Sequence, residues 1–334
     1  MKVLVTGGTG LVGAFTIARL LQSGHDVRAL VRDRTKLASC LAPLGSSAAA
    51  VEQVTGDVTA ADSVAGAVEG CEALIHCAGV FSDRLQDEAL LQQVNVEGTR
   101  TVLAQAVTAQ LDPIIHVSSY IALFPPAGQV QEADDPVTEP RSMYARTKAT
   151  AERIARDHQA RGAPVVTVYP GSIQGPHDPT FSIGSQIIAR TLRDRRMLVS
   201  DSGRSYVDVR DVADLLNNLL ETGRGPRRLM CGGHYLLDEE VRQLLSRVSG
   251  EEIRALRIPG WLLRGMGRGA DLIAGLRGRP FTLTAEAAEV LTRSVPCNDA
   301  PGLKDPGYRR LSAEQSFRDL VTWIRQSGKI DSLP

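Results

Sequence analysis

The sequence predicts an α/β fold, a doubly wound parallel sheet followed by a smaller, mainly helical lobe. Three features of the 334 residues carry that prediction. Short β-branched runs alternate with amphipathic helical stretches through the first half, which implies a parallel sheet with helices on both faces and right-handed crossovers. The opening strand runs straight into a glycine-rich turn and an amphipathic helix. After about Pro170 the alternation stops, proline and glycine cluster in YPGSIQGPHDPT, and helical patterns take over.

In chain order, KVLV is the first strand, and a helix follows over about residues 10–23. VRALV is the second strand. AVEQV and the helical AADSVAGAVE precede ALIHC, and a long helical stretch over about residues 87–110 leads into PIIHV. Another helix, over about residues 141–161, precedes PVVTV. The expected sheet domain is residues 1–170, with 203–224 returning to it through SYVDVRDVADLLNNLL as a strand and a helix. Residues 171–202 and 225–330 are expected to form the substrate lobe. Within that lobe, the glycines of WLLRGMGRGADLIAGLRGRP argue against a long rigid helix. Its arginine stems are expected to cover apolar surface of a soluble lobe rather than to lie on a membrane.

Composition narrows the function classes. With 43% hydrophobic and 23% charged residues the chain is an ordinary globular one. Thirty-eight basic residues balance thirty-eight acidic ones, which gives no reason to expect nucleic acid or an anionic surface as partner. Cys40, Cys71, Cys77, Cys231 and Cys297 are an odd number without a C-x-x-C pair, which suggests free thiols in a reducing compartment. The six histidines lack H-x-x-x-H or H-E-x-x-H spacing, so no metal is expected. The N-terminal apolar run is short for a signal peptide, and no window is long enough to span a bilayer. The expectation is a cytoplasmic protein acting on a small molecule, without stable membrane association.

VLVTGGTGLVGAFTIARLL places strand, glycine turn and helix in the order a dinucleotide site requires. It satisfies both G-x-G-x-x-G (Gly8, Gly10, Gly13) and G-x-x-G-x-x-G (Gly7, Gly10, Gly13). Glycines permit the tight turn, the approach of backbone to pyrophosphate and the packing of helix on strand, while the helix N-terminus offers amides to the phosphates. The sheet is therefore expected to be of Rossmann type. At the end of the second strand, Val31 stands where a ribose-binding acid would select NAD, and Arg32 follows. A permanently charged guanidinium suits the extra phosphate of NADP, so NADP(H) is favoured over NAD(H).

In SMYARTKATAER, Tyr144 and Lys148 are four residues apart and share a helix face. Alone, such a pair is an ordinary surface pair. Together with the glycine loop, however, YARTK makes the chain resemble the extended short-chain dehydrogenase/reductase family over nearly its whole length. TGGTGLVG resembles that family's nucleotide loop, GDVT its third-strand motif, and HCAG the stretch beneath the cofactor. NVEGT matches N-x-x-G-T, HVSSYIA is similar to the catalytic-serine strand, and YPGSIQGP to the segment beside the nicotinamide. CNDAPGLKDPGYR is similar to a C-terminal family pattern, with Pro306 in place of leucine. LVRD and SSYIAL are most similar to the dihydroflavonol-reductase and 3β-hydroxysteroid-dehydrogenase-like branch. One departure stands out: the usual Arg-Pro before the second lobe is Tyr169-Pro170 here.

The resemblance implies that Ser119, Tyr144 and Lys148 are catalytic. It also implies that Gly7, Thr9, Gly10, Leu11, Val12, Arg32, Asp57, Val58, Cys77, Ala78, Gly79, Tyr169, Pro170, Gly171 and Ile173 join Tyr144 and Lys148 around the cofactor. A phenol with a pKa of about 10 exchanges protons poorly at neutral pH, and a nearby ammonium is expected to lower it. Ser119 would hydrogen-bond the substrate carbonyl, with Ser118 on the opposite face of the strand. RTLRDRR (190–196) reads as a solvated helix face rather than a diphosphate site. The helices over 87–110 and 141–161 correspond to the dimer bundle of the resembled family, so a homodimer is expected. Two other functions remain in view. One is an NAD-retaining nucleotide-sugar epimerase or dehydratase, weakened because Tyr120 and Ile121 stand where dehydratases carry an acid pair. The other is a non-catalytic dinucleotide sensor.

Overall fold

The computed structural model describes residues 1–82, 85–277, 284–303 and 310–330; Pro306 of the C-terminal pattern lies outside them. Its strands are β1 (Lys2–Thr6), β2 (Asp26–Val31), β3 (Val51–Thr55), β4 (Ala73–His76), β5 (Ile114–Val117), β6 (Val165–Pro170), β7 (Ser172–Gln174), β8 (Arg196–Val199), β9 (Gly203–Asp208), β10 (Arg227–Cys231), β11 (His234–Leu237) and β12 (Arg254–Arg257). The helices of the first half are α1 (Leu11–Gln22), α2 (Arg34–Leu41), α3 (Ala61–Val68), α4 (Glu88–Leu91), α5 (Thr99–Thr108) and α6 (Met143–Ala160). Those of the second half are α7 (Ile183–Asp194), α8 (Val209–Asn218), α9 (Asp238–Ser249), α10 (Gly260–Arg277), α11 (Ala285–Arg293), α12 (Ala300–Leu303) and α13 (Ala313–Gln326).

A seven-stranded sheet in the order β10-β6-β5-β4-β1-β2-β3 is parallel throughout, a Rossmann-type arrangement. Its inner strands β1, β4, β5 and β6 are buried on both faces, which is why they read as apolar runs rather than as alternations. In β1, Val3 and Val5 face one core with Ile17, Leu20, Leu37 and Leu216. Leu4 faces the other, with Val64, Val102, Leu103 and Ala155. That split follows from the two-residue period of a strand. The long helical stretch at 87–110 is α4, a π-helical segment Gln92–Gly98 and α5 in succession. The second lobe has its own core, where Leu192 of α7, Leu245 of α9 and Phe317 and Leu320 of α13 meet.

Two expectations about the second half are corrected. The strand near 205 does not rejoin the main sheet: β9 is the centre of a separate sheet, β11-β9-β7, and the strand that pairs with β6 is β10. Only α8 returns, packing beside α1 with Asp214 paired to Arg19. Gly171 marks the divergence, since a Cβ there would stand 2.6 Å from the Gly232 carbonyl and 2.8 Å from that of Ser205. A bare backbone is what lets β6 lead into β7 between those strands. The second correction concerns residues 260–277, which form an 18-residue helix despite their glycines. A Cβ on Gly267 would stand 2.7 Å from the Thr284 carbonyl, so close packing against the start of α11 demands glycine and overrides helix propensity.

Candidate active site

The strand order reverses between β1 and β4, the point at which an open parallel sheet leaves a crevice at its carboxyl edge. The turn after β1 lines it. Gly7 has φ +74°, and a Cβ there would stand 2.6 Å from the Ala78 amide nitrogen. On Gly13 a Cβ would stand 2.2 Å from the Gly7 carbonyl oxygen. Packing therefore forbids side chains at both. Gly10 differs: its Cβ would meet only the Gly7 carbonyl, at 3.4 Å, so no other protein atom crowds it. Gly10 also begins α1, whose first turn carries no acid and whose first helical bond is Ala14 N–H to the Gly10 carbonyl. The amides of Leu11, Val12 and Gly13 precede that bond at the positive end of the helix. Leu11 and Val12 pack with Ile173 beside Phe15 and Val209, and the Thr9 carbonyl accepts from the Cys40 thiol at 3.5 Å.

Across the crevice, Cys77, Ala78 and Gly79 continue from β4. The Ala78 amide donates to Thr6 Oγ1 at 3.4 Å. Burial pushes the Cys77 thiol up to about 12, which keeps it un-ionised and inert. Asp57 accepts from the Thr59 amide at 2.9 Å and its hydroxyl at 2.8 Å. Those bonds, with a contribution from the charge on Arg32, hold its carboxyl below the usual range. Val58 touches the N-x-x-G-T segment: a Cβ on Gly98 would stand 2.9 Å from its Cγ2.

Ser119, just past β5, has an extended backbone and caps the short turn Tyr120–Leu123. Tyr144 lies in the first turn of α6, whose N-cap Ser142 accepts from the Ala145 amide at 3.3 Å. Ser119 Oγ accepts from the Ile121 amide at 3.4 Å and lies near enough to the Tyr144 phenol to influence it, and Lys148, one turn on, donates from Nζ to the Val117 carbonyl at 3.2 Å. The electrostatics correct the expectation that lysine lowers the tyrosine. Burial pushes the Tyr144 phenol up to about 12, the Tyr120 phenol adds to the rise, and only the nearby Ser119 hydroxyl opposes it. Burial also brings Lys148 down to about 8, against the attraction of Glu152. At neutral pH Tyr144 is thus a protonated phenol, equipped to donate. Phe81, 54% exposed, packs edge-on against its ring at 4.8 Å.

Residues 3–232 match the profile of the NAD dependent epimerase/dehydratase family. The chain belongs to that family. Among curated relatives, a "Putative dihydroflavonol 4-reductase" of Synechocystis sp. is 29% identical, over 98% of this chain and 95% of that one. "Sterol demethylase protein B" of Methylococcus capsulatus is 30% identical over 99% and 100%. Among solved structures, the crystal structure of gox2253 superposes with a TM-score of 0.82 at 26% identity, covering 98% of this chain and 99% of that one.

Nicotinamide dinucleotide is the cofactor of this family of extended short-chain dehydrogenase/reductases, and the glycine cradle fits it. Gly7 and Gly13 bring bare backbone to the crevice, Gly10 keeps it open, and the α1 amides face the place of the pyrophosphate. Tyr169 is placed differently from expectation. Its side chain is fully buried behind α6, where the hydroxyl donates to Glu152 Oε1 at 2.6 Å. Arg156 donates to the same oxygen at 3.1 Å and to the Tyr169 hydroxyl at 3.1 Å. Where the usual family pattern has arginine before Pro170, a phenol from β6 and a guanidinium from α6 together hold the buried carboxylate. Gly171 donates its amide to the Cys231 carbonyl at 3.0 Å and serves strand packing.

Sequence reasoning passed over Glu152, although it was findable: it lies four residues beyond Lys148 on the alanine-rich face of the same helix, an odd place for an unneeded charge. Asn95 proves to be a tie. Its Oδ1 accepts from the Val80 amide at 2.8 Å, while Nδ2 donates to the Val80 carbonyl at 2.9 Å and to Thr147 Oγ1 at 3.0 Å. It thereby fixes the loop after β4 against α6.

Proposed function

We propose that the protein is an NADP(H)-dependent oxidoreductase that interconverts a carbonyl and a secondary alcohol on a small, largely apolar substrate. The observation that carries this reading is the Ser119 hydroxyl near the Tyr144 phenol, with Lys148 one helical turn on, beside the glycine cradle. When bound, the dinucleotide supplies the hydride chemistry. Tyr144 donates its phenolic proton to the substrate oxygen in reduction, and in the reverse direction its phenolate would accept that proton from the alcohol. Ser119 donates a hydrogen bond to the same oxygen and stabilises the charge that develops there. Lys148 provides a positive charge beneath the site and the donor for the nicotinamide ribose. Proton transfer from a group so placed contributes about 10²–10⁴-fold.

The end of β2 supports NADP(H). Asp33, the carboxylate nearest the strand end, accepts from the Thr35 amide at 2.9 Å and its hydroxyl at 2.6 Å, capping α2. Arg34 is engaged with Thr55 Oγ1 at 2.9 Å and the Gln53 carbonyl at 3.1 Å. Arg32 is exposed and close enough to Asp57 to influence it, which leaves its guanidinium for a 2′-phosphate. The apolar character of the substrate is supported by the exposed Phe81 against the reactive phenol and by relatives named for a flavonoid and a sterol. A homodimer through α5 and α6 completes the proposal, to be checked by light scattering.

The test is titration of purified protein with NADPH and with NADH, followed by nicotinamide fluorescence. Preference for NADPH of tenfold or more is expected. A preparation saturated with NAD, or preference for NADH, would favour the family's NAD-retaining epimerases instead.

A further inference from the structure

Two features of the second lobe meet at one place, and the chemistry above uses neither. β8 and β12 pair in parallel with Arg196 opposite Arg254 and Leu198 opposite Leu256. Residues two apart on a strand share a face, so both arginines and both leucines stand on one side. Met197, Val199 and Ala255 point the other way, into the lobe core. The outward four are all exposed, Leu198 at 39% and Leu256 at 48%. Like charges directly opposite in a sheet repel. Among the described residues, neither Arg196 nor Arg254 is ion-paired with a carboxylate.

β12 leads through Pro259 directly into α10, and the Gly260 amide donates to Asp201 Oδ1 at 3.0 Å, which holds the start of α10 at the carboxyl ends of β8 and β12. The inner face of α10 is seated: Leu263 is 2% exposed, and Gly267 lies against Thr284. The outer face is apolar. Trp261 is 69% exposed, Leu262 40%, Met266 48% and Ile273 41%, with Arg268 exposed among them. The single acid of this helix, Asp271, accepts from the Ala285 amide at 3.1 Å. Arg268 is thus exposed among apolar side chains, while Arg264 is half-buried and donates to Thr292 Oγ1 at 2.9 Å.

Unpaired cations that repel one another call for an anionic partner, and the exposed Trp, Leu, Met and Ile of the helix that follows β12 call for an apolar one. A bilayer interface offers both at once without a shape-matched pocket, and a tryptophan prefers that depth. We propose that the outer faces of the β8–β12 pair and α10 form a docking surface for an anionic lipid bilayer. The attachment is peripheral, since among the described residues no helix is long and apolar enough to cross. This rests on the surface alone and not on the catalytic reading.

The test is co-sedimentation of the full chain with vesicles of phosphatidylcholine, with and without phosphatidylglycerol, over a range of salt. Binding to the anionic vesicles, weakened by salt, is expected, with a blue shift of tryptophan emission that Trp261→Ser removes. Each basic residue near an anionic surface is worth about fivefold, so Arg254→Glu, which changes two charges, should weaken binding about thirtyfold. Thermal melting and far-UV circular dichroism establish that both variants are folded. Three results would overturn the proposal. The first is no anionic-vesicle binding at low salt, and the second is binding unchanged by both substitutions. The third is a lipid-free dimer that Trp261→Ser dissociates, which would make this face an interface between copies.

Discussion

Lys148→Met should make the cofactor-free protein more stable while abolishing its turnover. Burial brings the lysine from 10.5 down to about 8 in the folded chain. At about 1.4 kcal/mol per pH unit, that gap is about 3 kcal/mol of folding free energy lost by keeping an ammonium inside. Methionine fills a similar volume without charge, and the hydrogen bond to the Val117 carbonyl that disappears with the lysine is worth about 1 kcal/mol. The variant should therefore be about 2 kcal/mol more stable at pH 7. The advantage depends on pH in a fixed direction. Between about 8 and 10.5 the unfolded chain holds a proton that the folded chain has released, so wild-type stability from this group rises across that window. Urea melts of both proteins at pH 7, 9 and 10.5, compared as differences so that other groups cancel, should show the gap closing with pH. A variant less stable than wild type at pH 7, or a difference that does not change with pH, would refute the burial argument.

Other expected outcomes follow from the same geometry. Gly13→Ala places a methyl 2.2 Å from the Gly7 carbonyl and should weaken dinucleotide binding more than 100-fold by fluorescence titration, on the order of 3 kcal/mol. Arg32→Ser should raise the NADPH dissociation constant about tenfold or more and leave that for NADH within about twofold. Tyr169→Phe removes a donor from a buried carboxylate and should cost about 1–3 kcal/mol in chemical denaturation, with NADPH affinity nearly unchanged. An unchanged midpoint would show that Arg156 alone suffices to hold Glu152 Oε1.

The legible parts of this protein are those written locally. The glycine turn and the Tyr144–Lys148 spacing each lie within one strand–turn–helix or one helical turn, and the parallel sheet follows from the strand–helix alternation. What depended on distant partners was hidden. Nothing near Arg227 says that this strand, rather than the one before α8, finds β6. Tyr169 reads as a cofactor neighbour until Glu152 and Arg156 are seen behind it. The glycines of α10 read as helix breakers because Gly267's contact with Thr284 lies outside the helix itself. The charge argument for Tyr144 missed the dominant cause, which is burial, since spacing reveals that an ammonium is near but not how deeply both groups are buried.

The most direct measurement is turnover of Tyr144→Phe with NADPH over a panel of small apolar ketones and aldehydes, beside NADPH affinity of the same protein. The account predicts affinity within a few-fold of wild type and a rate reduced by about 10²-fold or more. A phenylalanine variant reducing the same substrates within a few-fold of wild type would contradict the assignment of Tyr144 as the proton donor.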